Sequence, residues 1–275
     1  MVPIVPTFLA ALLVSLPLAA ETVPSTPTAG PAQAIGSPAN GCLAGAVALP
    51  LSGPGWEVLR PERNRFWGHP ALVAFIESVA ARTASTGTLL IADMAQPRGG
   101  HMTFGHGSHQ TGVDVDILFR LGAAPLSAEE RSDPDLTGVV RPDGDLDPAR
   151  WGDAQVAVLR SFATDRRVER IFVNAAIKRT LCRTIRGDRD WLRVLRPWWG
   201  HDEHFHVRLS CPPGSGSCIG GPPLPPGDGC GADLDWWFTE EAAKPTPASP
   251  PVQPSSRRPA VPAACRAILN ARSKS

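Results

Sequence analysis

Hydrophobic periodicity divides the chain into alternating helical and extended segments. From Pro70, the residues Leu72, Val73, Ile76, Val79 and Ala80 recur at helical spacing on one face, with proline at the first helical position and Gly87 as the stop. Residues 88–92 (TLLIA) then read as a short strand buried on both faces. A glycine-rich loop holding His101, His106 and His109 leads into a second strand over residues 113–119. Residues 123–150 are acidic and turn-rich, after which Val156, Leu159, Phe162 and Ala163 predict another helix. Residues 170–173 read as a strand, and Asn174 is a good N-cap for a helix reaching Cys182. A short helix around residues 191–195 precedes the last strand, 204–209. Strands and helices in no strict βαβ order predict an α+β fold with one small antiparallel sheet.

The two ends of the chain have a different character. Residues 4–20 are an uncharged apolar run that contains Pro6 and Pro17 and ends in small residues before Glu21. This predicts a secretory signal peptide over residues 1–20, the run being short for a permanent membrane span. Residues 21–41, rich in Pro, Thr, Ala, Ser and Gly, read as a flexible leader, and residues 42–238 as one folded domain. Residues 239–275 read as a proline-rich tail, tied back to the body near Cys265, Ile268 and Leu269. A length of 275 residues with 43% hydrophobic content suits one sizeable domain, and 26 Gly with 30 Pro weigh against long helices. A net charge of +1 supplies no electrostatic reason to bind nucleic acid or an anionic membrane. No other apolar stretch is long enough to cross a bilayer, and the absence of tyrosine excludes phenol chemistry.

Export makes disulfides the expected state of the six cysteines, Cys42, Cys182, Cys211, Cys218, Cys230 and Cys265. None forms a C-x-x-C pair, which argues against a zinc ribbon and a thioredoxin-type redox site. Spacing alone does not choose among the possible pairings.

The chemistry concentrates in two histidine clusters, GHGSHQTGVDVD (105–116) and WWGHDEHFHVRL (198–209). Strand alternation in the second places His204, His206 and Arg208 on one face and Phe205, Val207 and Leu209 on the other. In the first, Asp114 and Asp116 share a face opposite Val113, Val115 and Ile117. Buried carboxylates need cations, and two imidazoles with one carboxylate are a usual catalytic zinc set. A further imidazole titrates in the range that suits a general base. The sequence contains neither H-E-x-x-H nor G-x-S-x-G, and residues 143–154 lack the glycine and glutamate of a calcium loop.

These motifs, HGSHQTGVDVDI (106–117) and RPWWGHDEHFHVRLSCP (196–212), closely resemble those of the penicillin-insensitive murein endopeptidases, zinc peptidases related to lysostaphin-type and D-alanyl-D-alanine-type enzymes. The resemblance continues through RIFVNAAIK (170–178), DRDWLR (188–193) and PPGDGCGA (225–232). It implies His109, Asp116 and His206 as zinc ligands, with His106 beside the metal as a further ligand or orienting group. It implies His204 as the catalytic base and His201 as a contact to the oxyanion or substrate. Asp114 would belong to a buried network, and Arg208 would be either a substrate anchor or one half of a surface ion pair. Glu203 sits three residues before His206, where some relatives carry a Glu base; alternation sets it opposite His204 and it is discounted, while His69 and His101 receive no role. Asp143 and Gly144 match the start of a D-G-x-H segment linked to a second metal, but Leu146 fills the histidine position. One catalytic zinc is therefore expected, with Asp143 a candidate only for a second site.

The resemblance also implies the pairings Cys42–Cys265, Cys182–Cys230 and Cys211–Cys218. It implies a periplasmic DD-endopeptidase acting on D-alanyl-meso-diaminopimelyl cross-links of peptidoglycan. The alternatives are a D,D-carboxypeptidase or dipeptidase on the same site, and a non-catalytic wall-binding module.

Overall fold

The computed structural model describes residues 23–122, 125–243 and 259–271, so the apolar run at residues 4–20 lies outside it. In chain order the strands are β1 (Gln33–Ser37), β2 (Asn40–Ala44), β3 (Val47–Ala48), β4 (Ser52–Gly53), β5 (Trp56–Val58), β6 (Trp67–Gly68), β7 (Leu89–Ile91), β8 (Asp114–Leu118), β9 (Val168–Val173), β10 (Leu195–Pro197) and β11 (His204–Leu209). The helices are α1 (Pro70–Thr83), α2 (Ala128–Ser132), α3 (Asp153–Ala163), α4 (Ala175–Thr184), α5 (Ala232–Asp235), α6 (Glu240–Ala243) and α7 (Ala263–Asn270).

Helix α1 begins where its proline predicts, and the ring of His69 caps it by accepting from the Ala71 amide. Helix α4 begins after Asn174, whose side chain accepts from the Ala176 amide. Between residues 190 and 194 the expected helix is a 3₁₀ turn. The main sheet is larger than expected and mixed: seven strands in the order β10-β9-β11-β8-β7-β5-β4, with β10–β9 and β5–β7 parallel. The added strands β4, β5 and β10 are two or three residues long, too short for a period-two pattern to announce them.

One face of this sheet is the core. Val115 and Ile117 of β8 and Phe205, Val207 and Leu209 of β11 bury against α1 and α3. Edge-to-face rings join the layers, Phe162 lying 5.2 Å from Phe205 and 5.5 Å from Phe75. The opposite face is free to carry polar groups.

The leader expected over residues 21–41 is replaced in part by structure, because β1 pairs antiparallel with β2. Ala34 is fully buried, and Ile35 packs against Cys42 and Cys265. Residues of low intrinsic strand signal are held here by a remote partner, helix α7. The disulfides are Cys42–Cys265, Cys182–Cys230 and Cys211–Cys218, and none of the described cysteines is free. No helix among the described residues is long and apolar enough to cross a membrane.

Candidate metal centre

The register of two strands assembles the polar face. β8 and β11 pair antiparallel with His206 opposite Asp116, Arg208 opposite Asp114 and His204 opposite Leu118. Residues directly opposite in an antiparallel pair point to the same side, so the Asp pair and the His pair meet. On the other flank β9 sets Phe172 beside His206, with ring centroids 5.3 Å apart and nearly perpendicular. His106 and His109 arrive from the loop before β8. Gly112 ends that loop at φ 70°, where a Cβ would stand 2.3 Å from a methyl of Leu43. His109 and His201 also lie in the left-handed region, at φ 66° and 53°. Side chains other than glycine rarely adopt it, and such strain gathers at functional sites.

Three imidazoles converge on one carboxylate. His206 Nδ1 is 3.1 Å and His109 Nε2 3.3 Å from Asp116 Oδ1, and His106 Nδ1 is 3.3 Å from Asp116 Oδ2. Two donors about 2.0–2.1 Å from a tetrahedral ion stand roughly 3.3 Å apart, so these spacings suit a shared cation. Both nitrogens of His109 and both oxygens of Asp116 are buried and make no hydrogen bond among the described residues. Such orphaned groups are costly unless a further partner meets them. His106, His109 and Asp116 form a group able to hold a metal ion, and three nitrogens with one oxygen are donors that zinc accepts.

The other nitrogen of two of these rings is also engaged. His106 Nε2 lies 2.8 Å from Asp93 Oδ2, and His206 Nε2 lies 2.8 Å from Asp114 Oδ1. Each carboxylate therefore fixes a ring with its Nδ1 aimed inward. Asp93 is paired with Arg65 at 2.9 Å, and Asp114 accepts from Arg208 Nε at 2.6 Å. Among the described residues the ion pairs of the Asp116 carboxylate are all with imidazoles, and no guanidinium lies within 4 Å of it. That balance favours a cation.

The acidities follow from this layout. Burial pushes the Asp93 carboxyl up, but His106 and Arg65 outweigh it and hold the group near 2. Burial likewise opposes ionisation of Asp116, and the His109, His204 and His106 charges reverse it. His201 is lowered to about 4 by burial and by the His204 charge beside it. His204 is raised: burial lowers it, but Asp116 and Glu203 prevail.

His204 directs Nε2 toward the centre, 3.7 Å from Asp116 Oδ1, while its Nδ1 meets Glu203 Oε1 at 3.0 Å. Glu203 therefore lies against His204 rather than away from it. The strand begins only at His204, so alternation does not extend back to residue 203. The His201 ring stands 4.8 Å from that of His204, with Nδ1 2.8 Å from the Trp199 carbonyl. Arg208 gives its Nε to buried Asp114, neither a surface ion pair nor a guanidinium turned wholly to substrate. Asp143 is elsewhere, exposed on a turn and paired with Arg141 at 2.8 Å. His101 Nδ1 is 3.2 Å from Gln110 Nε2. Sequence reasoning missed Asp93; its one signal is a carboxylate immediately after the buried strand at residues 88–92.

Residues 34–270 match the family described as penicillin-insensitive murein endopeptidase. The Klebsiella pneumoniae protein of that description is 44% identical over 247 residues, covering 89% of this chain and 88% of the relative. Its Yersinia enterocolitica counterpart is 43% identical over 249 residues, with 89% and 88% covered. The Salmonella newport counterpart is 44% identical over 247 residues, again with 89% and 88% covered.

Proposed function

The chain belongs to the penicillin-insensitive murein endopeptidase family, and from that premise we propose that it is a zinc-dependent DD-endopeptidase of the periplasm. Its substrate would be the D-alanyl-meso-diaminopimelyl amide that cross-links peptidoglycan strands. The observation that carries the metal dependence is the convergence of His106, His109 and His206 on Asp116.

His109, Asp116 and His206 would hold the ion, with His106 as a fourth donor on the more exposed side. Bound there, zinc supplies Lewis acidity toward the scissile carbonyl and toward water. His204 Nε2 takes the proton of the attacking water and returns it to the departing amine, with Nδ1 held by Glu203. His201, kept neutral by its surroundings and with its Nδ1–H given to the Trp199 carbonyl, presents Nε2 as an acceptor for a substrate N–H. Asp93 and Asp114 hold the tautomers of His106 and His206. The scheme acylates no serine, so a β-lactam has no nucleophile to trap.

A D,D-carboxypeptidase would need a cation for the substrate's free carboxylate. Arg208, the candidate for that task, is instead tied to Asp114. Mass spectrometry of murein digested with and without a chelator tests the reading. Conversion of cross-linked dimers to monomers, lost on chelation, is expected; release of terminal D-alanine alone would replace it with the carboxypeptidase.

A further inference from the structure

A cluster of aromatic rings lies beside the centre and takes no part in the chemistry above. Trp198 and Trp199 follow β10, while Trp236 and Trp237 follow α5. Ring centroids are 4.5 Å apart for Trp199–Trp237, 5.3 Å for Trp236–Trp237 and 5.4 Å for Trp198–Trp199. Three of the four residues are exposed, Trp198 at 48%, and Trp199 and Trp236 at 37% each. A contiguous exposed apolar surface of this kind marks a binding site more often than it serves stability.

Two features argue for a ligand that stacks. The Trp199 indole N–H donates to the Ala242 carbonyl at 3.1 Å, and that of Trp236 to the Glu241 carboxylate at 3.4 Å. The polar edges are thus engaged, and rigid ring faces remain at low entropic cost. The cluster is also continuous with the reaction centre. Trp198 packs on Phe172 at 5.4 Å, and Phe172 packs on His206 at 5.3 Å.

We propose that this patch is a saccharide subsite, seating a pyranose ring of the glycan strand that bears the scissile peptide; the proposal rests on the murein endopeptidase reading. A pyranose presents a face of C–H groups, which complements the electron-rich face of an indole. Asp233, Asp235, Glu240 and Glu241 outnumber the arginines beside their segment, Arg196 near Asp233 and Arg179 over Phe238, and so disfavour anionic lipids and nucleic acids. An N-acetylated amino sugar whose lactyl carboxyl is amidated by a peptide is uncharged and meets no such repulsion.

The test has two arms, both on the full chain. A peptide-free chitin oligosaccharide, titrated while tryptophan fluorescence and saturation transfer to the sugar protons are followed, should bind saturably. Trp236→Ala should weaken this binding about tenfold, and Trp236→Phe should retain most of it. In the second arm, Trp236→Ala should raise KM on intact sacculi several-fold more than on a sugar-free cross-linked peptide dimer. Absent binding, or equal losses on the two substrates, would overturn the subsite. Binding that emerges only after deletion of residues 244–258 would give the patch to the chain's own proline-rich segment and overturn it too. Failure of the unaltered chain to cut the sugar-free dimer would defeat the endopeptidase reading instead, while the titration still decides the subsite.

Discussion

Asp93, just past the end of β7, and Asp114, on β8, do equivalent work, each holding the far nitrogen of an imidazole at 2.8 Å. Carboxylates so placed commonly contribute about 10–100-fold to metal affinity or activity. Asp93→Ala and Asp114→Ala should each weaken metal retention by about that factor, read by competition with a chelator. The Asp114 change should also destabilise the fold, because it strands the Arg208 guanidinium in a nearly buried position. Glu203 touches His204, the proposed base, and would act on it instead of the metal. Glu203→Gln should lower kcat by about 10–100-fold with metal content unchanged, measured on a soluble cross-linked muropeptide. His206→Ala and Asp116→Ala should lose metal and turnover together. Full activity in a metal-stripped His206→Ala protein would remove the proposed mechanism.

Strand β11 is the element on which core and chemistry meet, since its alternate residues serve opposite faces. Phe205 is 1% exposed and touches the rings of Phe119 and Phe162. Phe205→Ala should cost about 3–5 kcal/mol in urea unfolding, and loosen His204 and His206 on either side of it. Helix α4 carries a second device. The Lys178 ammonium is fully buried and donates to the carbonyls of Leu192 and Asp228. Burial lowers it from the usual 10.5 to about 7, against the attraction of Asp228. Between those two values the unfolded chain holds a proton that the folded chain has released. Stability from this group therefore rises with pH from about 7 to 10.5 and is level outside that window. Lys178→Met should flatten the rise when urea unfolding is repeated across the same range.

The molecule as a whole is closed by Cys42–Cys265, which spans 223 positions and joins β2 to α7. In the loop-entropy account a cross-link this long stabilises by about 5 kcal/mol. The double replacement Cys42→Ala with Cys265→Ala should lower the melting temperature sharply and release the β1–β2 hairpin to proteolysis. None of the metal-centre residues lies on that hairpin or on α7, so metal binding at low temperature should survive; its loss would show that the hairpin supports the centre.

Much of this was legible in the residues. Pro70 and Asn174 announce their helices, because caps and first-turn chemistry are local. Alternation sorts His204, His206 and Arg208 from Phe205 and Val207, because strand geometry alternates whatever surrounds it. The motif resemblance added the cysteine pairs, which the three disulfides match. What the chain could not disclose is partnership across distance. The β8–β11 register sets His206 against Asp116, and the approach of β7 brings Asp93 to His106; neither has a signature in local spacing. Glu203 escapes the alternation because it lies one residue before the start of β11. The β1–β2 hairpin was invisible for a related reason: its stability comes from α7, more than two hundred residues away. Local propensity and periodicity are properties of neighbours in sequence, whereas register, second partners and closure depend on packing between segments that the sequence holds apart.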